Sequence, residues 1–295
     1  MGYKLKARES VADGIRRIVV EDIDDALQSL GDSARMEPVH EARKRVKRIR
    51  AIVRLARGAF AKKAFQNENQ QFREIGRGLS DIRDADVLVQ TFDLIKPDLA
   101  KIPPATATTV ERLIAERRDA TTRAAMKTGE VERARTALEK ARARASRWDL
   151  DGHGWSALAP GFERVYRDGR ARFEAAVDDP TSDNWHAWRK RVKDLMFHTR
   201  VLQGMWPSVF ASWTEDLDKL GDRLGQHHDL AVLRAVLLAD VRGHVPAPHL
   251  RAIVAAIDAR LKGAEADAQE MGERLYADSP TDVLDRLHAC WRAWR

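Results

Sequence analysis

The sequence predicts an all-α protein, on three observations. Apolar residues recur at helical spacing, with no stretch of clean apolar–polar alternation and few β-branched runs bounded by turns. Ala, Leu, Arg, Glu and Lys, all good helix formers, are abundant. Helix breakers are sparse and grouped, leaving segments too long for strands. In chain order the punctuation is Glu37-Pro38, Pro97, Pro103-Pro104, Gly152 with Gly154, Pro160, Pro180, Pro207, Pro246 with Pro248, and Pro280. The run from Ala105 to Trp148 reads equally as one very long helix or as two broken near Thr128-Gly129.

The chain also matches itself. Placing His40 on His186 lays HEARKRVKRI over HAWRKRVKDL, and Arg54 then meets Arg200. Further on, IGRGLSDIRDADVL (75–88) overlies LGDRLGQHHDLAVL (220–233), with Gly76/Gly221, Leu79/Leu224 and Asp84/Asp229 coinciding. Upstream, DGIRR (13–17) resembles DGRAR (168–172). Three matches in one order imply two copies of a helical unit, 1–147 and 155–295, joined near WDLDGHGW (148–155). Long helices with short connections pack as antiparallel neighbours, so the expectation is two pseudo-symmetric antiparallel bundles of about four helices each, around a basic central groove.

At about 100° per residue from His40, Ala42, Val46, Ile49, Val53 and Ala56 fall between roughly 160° and 240°, a core stripe. Arg43, Lys44, Lys47 and Arg54 fall on the opposite side with His40, and Arg50 lies at the edge of this group. In the second copy Trp188, Val192, Leu195, Thr199 and Leu202 take the stripe, and His186, Arg189, Lys190, Lys193 and Arg200 the other face. Like charges at i,i+3 and i,i+4 repel by a few tenths of a kcal/mol per pair, roughly. A basic row repeated at one phase therefore asks for a polyanion. Lys supplies a mobile charge and Arg a two-pronged fork for phosphate oxygens. Such a row spans about 20 Å, the reach of several phosphates.

His40 and His186 share a phase among cations, which disfavours a metal ion and suits a phosphate ligand. His227-His228-Asp229 looks like metal ligands, but the first copy has Ile82-Arg83-Asp84 there, so only the Asp belongs to the repeated design. Asp84 and Asp229 are expected to form structural ion pairs with Arg45 and Arg191, which border the core stripe. Arg17 and Arg172 head the first helix of each copy and extend the groove as second-tier ligands. The tryptophans, mostly in the second half, read as packing rather than base-stacking platforms.

Net charge is +7, consistent with an acidic partner. The single cysteine, Cys290, excludes an intramolecular disulfide and a Cys-based zinc site, and fits a reducing cytoplasm. MGYKLKARESVADGIRR carries no apolar segment, so no signal peptide is expected, and Lys6 stands where myristoylation expects Ser or Thr. The longest apolar run, AIVAAI (252–257), is far too short to span a bilayer, and no membrane contact is expected. There is no nucleotide-binding glycine loop, and no cofactor is expected.

The HxxRKRVK helix, the later LGxxxD…VL segment and their duplication resemble the CHAD domain, the conserved-histidine α-helical domain, over nearly the whole chain from about Arg8. The resemblance implies two four-helix bundles around a basic groove that binds inorganic polyphosphate, with localisation to bacterial polyphosphate granules and possible contact with granule proteins. The binding residues it implies are His40, Arg43, Lys44, Lys47 and Arg54 with His186, Arg189, Lys190, Lys193 and Arg200. Some relatives are fused to triphosphate-tunnel domains; no fused catalytic domain is expected within these residues. The chain departs where His228 replaces Arg83 and where Asp194 and Met196 stand in place of Arg48 and Arg50, so the second copy is expected to grip less tightly. The expected activity is binding without catalysis. A phosphoacceptor histidine is disfavoured because Glu41 becomes Ala187 in the second copy, leaving no recurring acid–base partner. Nucleic acid is disfavoured for want of aromatics interleaved with the basic row.

Overall fold

The computed structural model describes residues 3–31, 36–127 and 129–295; the side chains at 36–37, 80–85 and 125–127 lie outside the description. Among the described residues there are eleven α-helices and no strand. They are α1 (Val11–Gly31), α2 (Met36–Leu55), α3 (Lys62–Gly78), α4 (Ser80–Ile95), α5 (Pro104–Lys127), α6 (Glu130–Ala145), α7 (Ala159–Asp178), α8 (Ser182–Leu202), α9 (Pro207–Val236), α10 (Ala247–Leu275) and α11 (Pro280–Trp294).

Proline sits where a helix can accept it. Pro104, Pro207 and Pro280 open α5, α9 and α11, and Pro160 lies in the first turn of α7. The missing N–H costs nothing there, because the first-turn amides have no helical acceptor. Side chains cap other starts: the Asp13 amide donates to Ser10 Oγ at 3.0 Å and the Asn184 amide to Thr181 Oγ1 at 3.3 Å. The stretch 105–148 forms two helices, with Gly129 between them at φ 65°, a left-handed conformation that glycine adopts without a Cβ clash.

The stripes on α2 and α8 are buried as their periodicity predicts: Ala42, Val46, Ile49, Val53 and Ala56, and Trp188, Val192, Leu195, Thr199 and Leu202. Ile52, Leu55, Met196, His198 and Val201 are buried as well, because α2 and α8 pack on one another. The buried His198 Nε2 lies 2.8 Å from the Ala51 carbonyl across this contact.

The apolar residues do not sort into one core per copy. One core joins α1, α2, α3 and α6 to α7, α8, α11 and the first half of α9. The other joins α4 and α5 (Leu88, Phe92, Ile95, Val110, Ile114) to the end of α9 and the start of α10 (Leu230, Leu233, Ile253, Ile257). Both cores draw on both copies. The tryptophans serve this packing: Trp148, Trp155, Trp185, Trp188 and Trp291 are buried, and Trp206 alone among the large aromatics is well exposed.

Candidate polyanion-binding site

The packing of α2 on α8 brings cations of the two copies into one seam. Lys47 lies near enough to His186 to act on its ionisation, together with Lys190 and Arg189. Lys190 in turn feels Arg191 on its own helix, Arg172 of α7 and Arg73 of α3. Arg50 of α2 lies among Arg54, Arg73 and Arg191, with Asp194 as its counter-charge. Its Nε is buried and makes no hydrogen bond. Burial first, and then Arg54, lower its guanidinium to about 10. Holding an arginine in that state is unfavourable unless an anion arrives.

The His186 ring stacks on His228 of α9, centroids 4.0 Å apart and 26° from parallel. Burial, then His228 and the surrounding Lys and Arg, push the His186 imidazole down to about 3. At neutral pH it is uncharged, and an approaching polyanion would favour its protonation.

The rest of the predicted row is divided. Lys193 reaches Asp218 (3.0 Å) and Asp222 (3.1 Å) on α9, and Arg200 reaches Asp218 at 3.1 Å. Close packing supports this: a Cβ at Gly221 would meet the Lys193 side chain at 2.6 Å. Arg54 pairs with Asp194 at 2.8 Å, and Lys44 with Glu41 at 2.7 Å. His40 and Arg43 are half-buried on α2, about two turns and one turn before Lys47 respectively. Of the second-tier residues, Arg50 and Arg172 join the seam, whereas Arg17 is held by Glu9 (2.7 Å) and Glu21 (3.6 Å).

Arg45 and Arg191 have ion-pair partners other than the two aspartates expected for them. Arg45 pairs with Asp22 (3.1 Å) and Asp25 (2.9 Å) of α1, and Arg191 with Asp194 at 3.0 Å. The reason is proximity: α1 packs along the flank of α2 where Arg45 emerges, and Asp194 is three residues from Arg191 on the same helix. Asp84 has its side chain outside the described residues, and Asp229 is half-buried beside His228.

Sequence reasoning missed Arg73 as a site residue, gives Arg191 only a structural ion-pair role and leaves His228 out with the metal-like motif. For Arg73 a signal existed. The alignment that lays Gly76 on Gly221 also lays Arg73 on Asp218 and Arg77 on Asp222. The first copy thus adds cations where the second supplies carboxylates, and the seam is electrostatically lopsided. Among the described residues, no group of three or more His, Cys, Asp or Glu could hold a metal ion. No helix there is long and apolar enough to cross a membrane.

An all-helical fold with a cation-lined seam where α2 and α8 meet defines the class: an all-α helical domain with a basic seam. The chain belongs to the CHAD domain family, whose model matches residues 19–238. In fold it is similar to PptA from Streptomyces chartreusis, with a TM-score of 0.64 and 12% identity over 92% of this chain and 100% of that one. It is likewise similar to the CHAD domain from the plant Ricinus communis, with a TM-score of 0.59 and 19% identity over 99% of this chain and 95% of that one. No curated protein matches the chain.

Proposed function

We propose that the chain binds inorganic polyphosphate along the seam between α2, α3 and α8, without catalysing a reaction on it. The observation that carries this reading is the meeting of the two copies' cations: Lys47 beside His186, and half-buried Arg50 among Arg54, Arg73 and Arg191. Repulsion among these groups is relieved by a ligand with one negative charge at each short, regular interval. Guanidinium forks and ammonium groups suit its oxygens. Membership of the CHAD family supports the same ligand. A binding rather than catalytic role fits the surroundings of the histidines, since Glu41 is engaged by Lys44 and Ala187 stands at its place in the second copy. By the same reading the chain is carried to polyphosphate granules in the cytoplasm.

The test is retention on immobilised polyphosphate as salt is raised, for the wild-type chain and for Lys47→Glu/Lys190→Glu. Counterion release predicts a steep loss with salt, by roughly one logarithmic unit per phosphate contact for each tenfold rise. The double variant should elute at much lower salt. Indifference to both changes, or displacement of polyphosphate by RNA at equal phosphate concentration, would sink the proposal. Polyphosphate shortened on incubation with the chain would overturn its non-catalytic part.

A further inference from the structure

Next to the seam lies a cavity of about 230 Å³ between α2, α3 and α7. Its wall carries four guanidinium groups, those of Arg54, Arg57, Arg164 and Arg191. Two carboxylates oppose them: Asp168, 3.7 Å from Arg164, and Asp194, shared by Arg54 and Arg191. The cavity neighbours the seam through two of its lining residues. Arg191 acts on Lys190 and on Arg50, and Arg54 acts on Arg50.

One of its walls is closely packed. Gly161 of α7 packs so tightly on the end of α2 that a Cβ there would run into the Arg54 and Leu55 carbonyls. Val165 and Phe65 complete the lining, and Arg57 is held over the Phe65 ring at 5.0 Å. Asn69 contributes an amide whose Oδ1 is buried and makes no hydrogen bond; a half-turn of that amide would offer its NH2 group instead.

We propose that this cavity is a terminal-phosphate pocket, a blind end that receives an end group of the polyphosphate chain; the inference rests on the polyphosphate reading above. An interior phosphoryl group has two free oxygens and one charge. A terminal group has three free oxygens and a second ionisation near pH 6, so it carries close to twice the charge at neutral pH. A concentration of guanidinium forks discriminates in favour of that group. A track that stops against Gly161 and Phe65 has no use for a chain that must continue. The seam holds the body of the ligand, and the cavity holds its end.

The experiment compares one polyphosphate preparation with free ends against the same preparation with both ends blocked as phosphoramidates, using the full chain. Blocking should weaken wild-type binding about fivefold, the scale of one or two charge-assisted contacts. Arg57→Ala/Arg164→Ala should bind free and blocked chains alike, at the wild-type affinity for blocked chains. Arg164→Glu alone, at an exposed position, guards against a folding defect and should remove most of the preference. Equal wild-type affinity for free and blocked chains, or a preference that survives in the variants, overturns the pocket while leaving the seam intact. No wild-type binding of either preparation removes the polyphosphate reading itself, and the pocket with it.

Discussion

Arg54 of α2 and Asp194 of α8 form an ion pair at 2.8 Å, so a residue of the first copy neutralises one of the second. Arg191 holds the other oxygen of the same carboxylate at 3.0 Å. Asp194 is buried and its partners are mostly so. Removing one member of such a group leaves charge uncompensated in a poorly solvated place. Asp194→Asn should therefore cost about 3 kcal/mol, read as a lower urea midpoint with an unchanged slope. Added polyphosphate should raise the melting temperature of this variant more than that of wild type, because the freed guanidinium groups gain an anion.

Lys190 and Lys193 lie about one turn apart on α8 but stand in different company. Burial and then Arg191, with Arg172 and Arg73, lower the pKa of Lys190 against the opposing pull of Asp183, whereas Lys193 is held between Asp218 and Asp222. Lys190→Ala should weaken polyphosphate binding and reduce the salt slope by about one unit, whereas Lys193→Ala should leave the slope nearly unchanged. Isotherms at four or five salt concentrations decide between them.

Asp218 and Asp222 occupy the places that Arg73 and Arg77 hold in the first copy. Their carboxylates silence Lys193 and Arg200. Asp218→Asn/Asp222→Asn should release both cations. Affinity should rise and the salt slope steepen by about one to two units. Unchanged affinity would show that the ligand track does not pass α9 at this level.

On the polyphosphate reading, His186 should make binding pH-dependent. Its folded pKa, about 3, is below that of an unfolded histidine near 6.5. Between those values the unfolded chain binds the extra proton, so without ligand the fold loses stability as pH falls through that window. His198, buried and lowered to about 4, adds to the same loss. A bound polyanion reverses the balance at His186 by favouring the imidazolium. Affinity for long-chain polyphosphate should therefore increase from pH 7 to pH 5 with net proton uptake. Calorimetry in two buffers of different ionisation enthalpy measures that uptake, and His186→Gln should flatten it.

Much of this was readable beforehand, for identifiable reasons. The stripes on α2 and α8 follow from a 3.6-residue period that burial enforces along the whole helix. The meeting of Lys47 with His186 follows from a pattern repeated at one phase. What the chain order conceals is which carboxylates arrive from elsewhere. Asp194, Asp218 and Asp222 cancel cations that helix geometry alone leaves open. Arg45, at the border of the core stripe, is a candidate partner for Asp84, whose side chain lies outside the described residues; the packing of α1 supplies Asp22 and Asp25, which the sequence does not announce. His228 was set aside because Arg83 stands at its place in the first copy, but a ring stack needs only one copy.

Helix α9 runs unbroken from Pro207 to Val236, a rod of about 45 Å whose two ends are buried in different cores. It acts as a keel. Neither half of the gene product is a module that could be cut out and moved, since severing the chain at the junction would leave both hydrophobic interiors missing a wall. The two matching stretches of sequence share their walls and form a single body.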